Sequence, residues 1–343
     1  MYIPITQSRE WQKLQEELGE VSHFEKSENY QFLAIEKHTR AGNYLFLPYG
    51  PVFDTKEGLK SALQSLNIIA KKSNAIFIRI EPRNSEIVKY LPRTAKKVKD
   101  IEPAETWILD LPNQPSTNSN ADLNEIPTEL KNLLPSRLLR YYKNREKQGI
   151  TIETSHNPDD IKHLLTLQKA LASKKGITTF TEKYLKTELK QPFATLYLVK
   201  MKRVADLEGD PHRVLRDGGG EGPTGPASNK ILAAGLVFDD ENTKTRYNLQ
   251  GAQSEEGRPL HATGILTIQL ILDAYQKGYK TFDFWGIAPE GADSSHPWHG
   301  FTAFKKTFNG REQKYAGTYE IILKPAKYRI FKSLQKLNRY IKK

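Results

Sequence analysis

Residues 247–287, YNLQGAQSEEGRPLHATGILTIQLILDAYQKGYKTFDFWGI, contain the pattern that decides the fold class. The segment 244–253 is predicted as a strand, 262–277 as a long helix with apolar residues at helical spacing, and 279–287 as an aromatic-rich strand. A strand, helix and strand in this order are typical of α/β proteins. The stretch therefore predicts a mixed α/β domain.

The N-terminal part of the chain has a similar order of elements. Strands are predicted at 30–37 and 43–54, a helix at 55–74, and further strands at 75–83 and 106–113. A length of 343 residues is enough for two domains, each with its own core. We therefore expect two related α/β units in tandem.

A polar loop and a helical stretch interrupted at Pro135 and ended by Gly149 separate the two rounds of elements. The second round begins with a strand at 150–155 and has further strands at 193–203 and 230–240. Between the last two lies the segment 204–229, with six glycines and three prolines. It is predicted to be a mobile insert, and no Gly-Lys-Ser/Thr follows its glycines as a phosphate-binding loop would require.

Composition excludes several classes of site. The chain has no cysteine, so disulfides, zinc–thiolate sites and cysteine nucleophiles are absent. No apolar run reaches the roughly 18 residues of a membrane-spanning helix, and the N-terminus has no secretion-signal pattern. His261, His296 and His299 lack the spacing of metal ligands, so no metal is expected. These features predict a cytoplasmic protein.

Charge favours polyanionic partners. The sequence has 52 Lys and Arg against 40 Asp and Glu, a formal charge of +12. Residues 324–343 contain eight of the basic residues and no acidic one, and Ile330, Leu334, Leu337 and Ile341 follow each other at helical spacing. This amphipathic helix could dock on a core and expose a solvated basic face, or its charge could attract an anionic bilayer or tRNA.

Three stretches together resemble the Fem-type family of peptidoglycan bridge aminoacyl and peptidyl transferases. They are ITQSREW followed by PYGPVFD (48–54), the deciding segment 247–287, and GFTAFKKTFNGREQKYAGTYEIILKP (300–325). The resemblance covers nearly the whole chain except the insert, in the compact form without a coiled-coil arm.

The resemblance implies an α/β fold of two tandem GNAT-like acyltransferase domains, with the C-terminal helix packed on the first. On this basis domain 1 comprises 1–148 and 320–343, and domain 2 comprises 149–319. The implied reaction is aminolysis: an amine of a peptidoglycan precursor stem peptide attacks the ester of an aminoacyl-tRNA. Such an ester is already activated, so no cofactor or metal is expected, and the site must supply positioning and charge stabilisation.

The resemblance also implies roles for particular residues. Lys305 is the expected catalytic cation, and Phe304, Lys305 and Lys306 the expected tRNA-binding residues. Glu81 could accept the proton of the attacking ammonium. Alternatively, Glu81 is a structural carboxylate paired with Arg79 or Arg83.

Substrate contacts are expected from Thr178, Tyr184, Tyr247, Arg137 and Arg140. The two arginines belong to a basic cluster on the interdomain helix that could hold pyrophosphate or tRNA backbone, or simply be solvated.

Other positions depart from the family's pattern. Phe180, Gln15 and Leu249 stand where relatives have an Arg, a Lys and a Tyr that contact a nucleotide-linked acceptor. We therefore expect the acceptor to be lipid-linked (lipid II) in preference to soluble UDP-MurNAc-pentapeptide, with peripheral contact to the inner face of the membrane and a monomeric enzyme. Two alternatives stay open: an aminoacyl-tRNA-dependent transferase with a protein or other amine acceptor, and a non-catalytic RNA-binding protein.

Overall fold

The computed structural model describes residues 2–114, 126–175, 179–202 and 230–341. Within them the strands form two seven-stranded sheets. The first sheet contains β1 (Ser22–Lys26), β2 (Tyr30–Thr39), β3 (Gly42–Leu47), β4 (Val52–Phe53), β5 (Phe77–Ile80), β6 (Ala95–Lys97) and β14 (Tyr319–Ile322). The second contains β7 (Glu105–Asp110), β8 (Ile150–Ser155), β9 (Ala194–Met201), β10 (Lys230–Asp240), β11 (Thr245–Gln253), β12 (Thr281–Gly286) and β13 (Arg311–Lys314).

The helices lie against these sheets. In chain order they are α1 (Arg9–Glu17), α2 (Lys56–Lys72), α3 (Thr128–Lys131), α4 (Ser136–Lys143), α5 (Ile161–Lys175), α6 (Glu182–Leu189), α7 (Ala262–Gln276), α8 (His299–Lys305) and α9 (Pro325–Ile341). The mixed α/β class predicted from the sequence is confirmed. The predicted insert 204–229 and Thr178 lie outside the described residues.

The first sheet has the order β1-β2-β3-β5-β14-β6, and β4 pairs with β2. Only its β3–β5 pair is parallel among the described pairings, because α2 crosses over between these two strands. Thr55 caps α2 by accepting a hydrogen bond from the Gly58 N–H. Leu59 and Leu66 of α2 then pack, fully buried, on the inner face of the sheet.

The second sheet has the order β13-β7-β12-β11-β10-β9-β8. The deciding segment supplies β11 and β12, which pair in parallel and are joined by α7. Helix α7 is buried on nearly all sides because it lies between the sheet and α4. Gly264 permits this close packing, since a Cβ there would lie 2.6 Å from Leu138.

Each sheet is completed by a strand from a distant part of the chain. Strand β14 lies between β5 and β6, and β7 lies between β12 and β13. The chain therefore passes between the sheets twice, at about residues 98–104 and 315–318. Sheet membership does not test which segments fold independently, so the domain boundaries given above stay a prediction.

Helix α9 packs on the first sheet, as expected, but through different residues from the predicted stripe. Tyr328 and Phe331 are buried against Phe77. The stripe itself faces outward: Ile330 is 56% exposed, Leu334 38% and Leu337 54%. The helix therefore docks on a core as predicted, but it does so through its aromatic face, and this stripe stays exposed. Within the described part of the chain, no helix is long and apolar enough to cross a membrane.

A buried carboxylate connects α9 to the first sheet. Glu320 of β14 accepts hydrogen bonds from Arg79 and from the Tyr328 hydroxyl, and Lys332 lies 3.2 Å away. Burial alone would raise the pKa of Glu320, but the bonds from Tyr328 and Arg79 prevail and lower it.

We expect Glu320→Gln to destabilise the protein by about 3 kcal/mol or more, because it leaves the Arg79 guanidinium buried without its counter-charge. The loss should be largest near neutral pH and should shrink as the pH falls through the lowered Glu320 pKa, where the wild-type carboxylate is also neutralised. Urea unfolding measures both effects. As a control, Glu86→Gln removes an exposed partner of Lys89 and should change stability by less than about 0.5 kcal/mol.

Candidate functional site

The turn after β3 directs an aromatic side chain into the space between the sheets. Tyr49 has a left-handed backbone, with φ of 54°, and is followed by a cis Gly50–Pro51 bond. Gln7 fixes this turn, because its side chain bonds to the Pro48 carbonyl and a Cβ on Gly50 would lie 2.3 Å from its Oε1. The Tyr49 hydroxyl donates to the Pro103 carbonyl at 2.9 Å.

The end of β12 presents a second aromatic side chain with a left-handed backbone. The pairing of β12 with β7 shifts register between Asp283 and Gly286, and Trp285 within this bulge has φ of 65°. The backbone N–H of Trp285 donates to Asp283 Oδ1 at 2.7 Å. Its ring meets Tyr49 edge-on at 5.6 Å and Tyr247 at 5.8 Å. Backbone of this kind is costly for a bulky residue and is concentrated at functional sites.

Lys305 lies next to this bulge. It ends α8, is half-buried, and its Nζ donates to the Gly286 carbonyl at 2.5 Å. Burial lowers the pKa of Lys305 to about 8, although nearby Asp283 opposes the shift. Burial also raises the pKa of Asp283 to about 6, against the opposing charges of Arg83 and Lys305. The site thus contains a desolvated ammonium that can give up a proton near neutral pH.

Glu81 joins the two chain segments that pass between the sheets. Its Oε1 accepts hydrogen bonds from the Ile101 and Glu102 N–H groups at 3.1 Å and from the Thr318 hydroxyl at 2.6 Å. Its Oε2 is buried without a hydrogen-bond partner among the described residues. Burial raises the pKa of Glu81 to about 7 despite these bonds. Arg79, one of its predicted partners, pairs with Glu320 instead.

Glu102 lies beside Glu81, and a third carboxyl group, that of Glu188, lies near Glu102. Burial and, to a smaller extent, repulsion from Glu81 raise the pKa of Glu102 to about 8. Burial likewise raises the pKa of Glu188 to about 8, and its bond with Tyr184 opposes this. Tyr184 is half-buried and stacks on Phe180 at 4.9 Å. Because Glu102 acts electrostatically on both Tyr184 and Glu188, these groups border one polar region between the sheets.

Tyr247 faces the same region from β11. Its hydroxyl lies 3.3 Å from that of Tyr2. Burial raises the pKa of Tyr247, and the charge of nearby Arg83 opposes this increase. We call the whole group the intersheet site. It consists of Tyr2, Tyr49, Glu81, Arg83, Glu102, Tyr247, Asp283, Trp285, Lys305 and Tyr315, whose ring lies 5.3 Å from that of Tyr49.

The intersheet site includes three of the residues predicted from the sequence, Glu81, Tyr247 and Lys305, and Tyr184 borders it. Phe304 instead packs on the core of the second sheet and meets Phe308 edge-on at 5.5 Å. Lys306 is exposed and lies 3.8 Å from Glu312. The stacking and tRNA-binding roles assigned to these two residues stay predictions.

Arg137 and Arg140 lie elsewhere, exposed on α4. Arg137 contacts His261 at 3.4 Å, and Arg140 lies over the Tyr141 ring. The structure gives neither arginine a contact with the intersheet site.

Sequence reasoning missed the other seven site residues, which are Tyr2, Tyr49, Arg83, Glu102, Asp283, Trp285 and Tyr315. A backbone with positive φ leaves no sequence signal when the residue is aromatic, so Tyr49 and Trp285 read as strand residues. The PYGP turn and the Asp-Phe-Trp-Gly run were the available signals, since turn residues beside aromatic residues at strand ends are common in binding sites.

Comparison with known proteins bears on the class to which this site belongs. Residues 225–336 match the FemAB family, and this range includes Tyr247, Asp283, Phe304 and Lys305. The match confirms the resemblance to the Fem-type family. No curated protein matches the chain significantly.

Solved structures share the fold over the whole chain. The crystal structure of FemX superposes with a TM-score of 0.72 at 18% identity, covering 95% of this chain and 94% of FemX. The C-terminal domain of a putative lysylphosphatidylglycerol synthetase from Agrobacterium fabrum has a TM-score of 0.56 at 13% identity, covering 96% and 92%. L-PGS from Bacillus licheniformis has 0.54 at 14%, covering 94% of each chain. At these identities the likeness concerns the fold; together with the family match it supports a transferase of the acyltransferase class.

The left-handed backbone of Trp285 gives a testable difference between two substitutions. Trp285→Ala and Trp285→Gly both remove the indole ring, but only glycine adopts φ of 65° without strain. We expect the Gly variant to be more stable than the Ala variant by about 1 kcal/mol, measured by urea unfolding. The same pair of substitutions at Trp107, in the extended strand β7, should give the opposite order. Equal stabilities at position 285 would contradict the left-handed assignment.

Proposed function

We propose that this protein is an aminoacyl-tRNA-dependent transferase that adds an amino acid to the stem peptide of a peptidoglycan precursor. The observation that carries the proposal is the half-buried Lys305 ammonium on the Gly286 carbonyl, within the part of the chain that matches the FemAB family. No carboxylate among the described residues lies within ion-pair distance of this ammonium, so its charge is available to a substrate.

In the proposed step the neutral acceptor amine attacks the carbonyl carbon of the aminoacyl ester. The bond from that carbon to the ribose oxygen breaks, and an amide forms. Lys305 stabilises the negative charge that develops on oxygen and donates a proton to the leaving ribose oxygen. Its lowered pKa favours this donation, because the ammonium is a stronger acid than in water.

The acceptor amine enters as an ammonium and loses two protons in all: the second, released as the amide forms, returns to Lys305, and the first must be taken up before the attack. We propose Glu81 as the acceptor, through the Oε2 that has no partner among the described residues, since its raised pKa suits a base that works near neutral pH. Glu102 is linked directly to Glu81, because the backbone N–H of Glu102 donates to Glu81 Oε1. The two carboxyl groups would attract the incoming ammonium and retain its proton.

For the acceptor we propose the lipid-linked precursor. Phe180, which stands where relatives have an arginine, is 52% exposed and stacks on Tyr184, so it offers an apolar surface at the expected phosphate position. Gln15 is buried in α1, and Leu249 packs on the neighbouring core. None of these three side chains supplies a charge for a nucleotide diphosphate.

A transfer assay tests the function, the donor and the acceptor together. The purified protein would receive a mixture of charged tRNAs with either lipid-linked or nucleotide-linked precursor, and product mass would report the amino acid and the acceptor. We expect faster transfer to the lipid-linked precursor.

Lys305→Ala should lower kcat about 100-fold or more while tRNA binding weakens only modestly, because Lys305 mainly stabilises charge that develops during the reaction. Wild-type activity should decline as the pH rises through about 8, where Lys305 loses its proton.

Lys60→Ala is the matched control, since Lys60 is an exposed residue of α2 and its loss should leave the rate unchanged. Retention of activity by Lys305→Ala would refute the catalytic role. Faster transfer to the nucleotide-linked precursor would refute the lipid-linked acceptor, and transfer to peptides without any muropeptide would favour a protein or other amine as the acceptor.

We further propose that α9 binds the surface of an anionic bilayer. Its outward stripe of Ile330, Leu334 and Leu337 has no covering element among the described residues, and exposed Lys327 and Lys336 flank the stripe. An apolar stripe bordered by cations is the pattern of helices that lie in the headgroup region. The Tyr328 and Phe331 contacts hold the helix to the body of the protein at the same time.

Replacing Ile330, Leu334 and Leu337 together by Ser should reduce binding to phosphatidylglycerol-containing vesicles by about 10-fold or more, because the variant loses the apolar area that enters the headgroup region. Co-sedimentation measures the bound fraction, and vesicles of phosphatidylcholine alone should bind both proteins weakly. The control Ile68→Ser changes an equally exposed apolar residue on α2 and should bind as the wild type does. Unchanged binding by the triple variant would rule out the stripe as the contact.

A further inference from the structure

Arg83 is half-buried and differs in its partners from the fully buried Arg79 and Arg246. Arg79 pairs with Glu320, and Arg246 pairs through two bonds of 2.6 and 2.7 Å with Asp239. Arg83 has no carboxylate within 4.0 Å among the described residues. A guanidinium removed from water usually has a carboxylate or phosphate on its planar edge, because an unpaired buried charge is costly. The planar edge of the Arg83 guanidinium is therefore available to an anion.

Aromatic rings hold the Arg83 guanidinium in position. Its central carbon lies 4.5 Å from the ring centre of Tyr315, 4.7 Å from that of Tyr2 and 5.7 Å from that of Tyr49. Its Nη2 donates to the Tyr315 hydroxyl at 2.6 Å. A guanidinium has five N–H donors, so this bond leaves most of them for a ligand. The rings orient the group without neutralising it.

The surrounding electrostatics keep Arg83 cationic and select the kind of anion. Burial alone would lower the pKa of Arg83, but Tyr247, Tyr315, Tyr2 and Asp283 raise it. The Asp283 and Asp240 carboxylates lie beyond ion-pair distance from Arg83. They would repel a polyphosphate or an RNA backbone, whereas a single carboxylate on the guanidinium meets less repulsion.

We propose that Arg83 binds a carboxylate of the acceptor peptide, with the hydroxyls of Tyr2 and Tyr247 as additional donors. This inference rests on the proposed function and deepens it. The Tyr2 and Tyr247 hydroxyls lie 3.3 Å apart and border the same guanidinium. Arg83 and Lys305 both act on Asp283, so the bound carboxylate and the reacting amine would both lie near that residue, each held by its own cation. Arg83 would thus fix which way the peptide crosses the site.

The test combines a substitution of Arg83 with a change at the C-terminus of the acceptor peptide. Two acceptors would be compared that are identical except for a free carboxylate or an amide at the C-terminus. For the wild type we expect KM to be about 10- to 100-fold higher with the amide, the usual value of a charge-assisted bond. For Arg83→Gln we expect KM with the carboxylate to rise to the amide value, with little change for the amide itself. Arg83→Lys keeps the charge without the planar fork and should recover part of the preference.

Arg40→Gln, in the exposed turn after β2, is the control and should keep the full preference. The proposal is overturned if amidation leaves the wild-type KM unchanged, if Arg83→Gln raises KM equally for both acceptors, or if it raises KM for the charged tRNA instead. Urea unfolding would verify that the variants fold, and Arg83→Lys serves if Arg83→Gln does not. Calorimetric titration of the two peptides without donor measures the same preference in binding. It therefore tests Arg83 even if no transfer occurs and the proposed function fails.

Discussion

One carboxylate oxygen holds the two halves of the molecule in register. Glu81 Oε1 lies at the end of β5 and accepts bonds from both segments that pass between the sheets, from Ile101 and Glu102 on one and from Thr318 on the other. Direct bonds between the segments add to this, from Val98 to Thr318 and from Tyr315 to Ala104. Most side chains of the intersheet site project from these segments and from strands beside them, whereas Lys305 comes from α8 and Tyr2 from the N-terminal segment. Their arrangement therefore depends on Glu81 whether or not it also transfers a proton.

The site combines charges that burial would normally exclude. Lys305 is stabilised by a carbonyl, Arg83 by phenol rings, and Glu102 lies beside another carboxyl group. None of these arrangements neutralises the charge concerned, in contrast to the paired Arg79 and Glu320 under α9. Desolvated charges strengthen interactions with a substrate, because less water screens them. Ion pairs thus stabilise the fold in one place, and charges without a counter-charge are left in another.

Much of the fold was readable from the sequence because strands and helices leave periodic patterns. The deciding segment predicted β11, α7 and β12, and each is present within a few residues of its expected limits. The insertion of β14 between β5 and β6 was not readable, since four residues separated from their neighbours by more than 200 positions carry no pairing signal. The candidate site was partly readable through the Fem-type resemblance, which indicated Glu81, Tyr247 and Lys305. Arg83 was considered only as a partner of Glu81, because its cage of Tyr2, Tyr49 and Tyr315 comes from three distant parts of the chain.

Helix α9 has two apolar faces, and the inner one determines what the outer one can do. Tyr328 and Phe331 lie against Phe77, and the Tyr328 hydroxyl bonds to Glu320, so the helix cannot roll about its axis. The direction in which Ile330 and Leu337 point is therefore a fixed property of the whole protein. A flat surface that contacts these residues therefore meets the protein in one orientation. The fold alone then sets the height and tilt of the intersheet site above that surface.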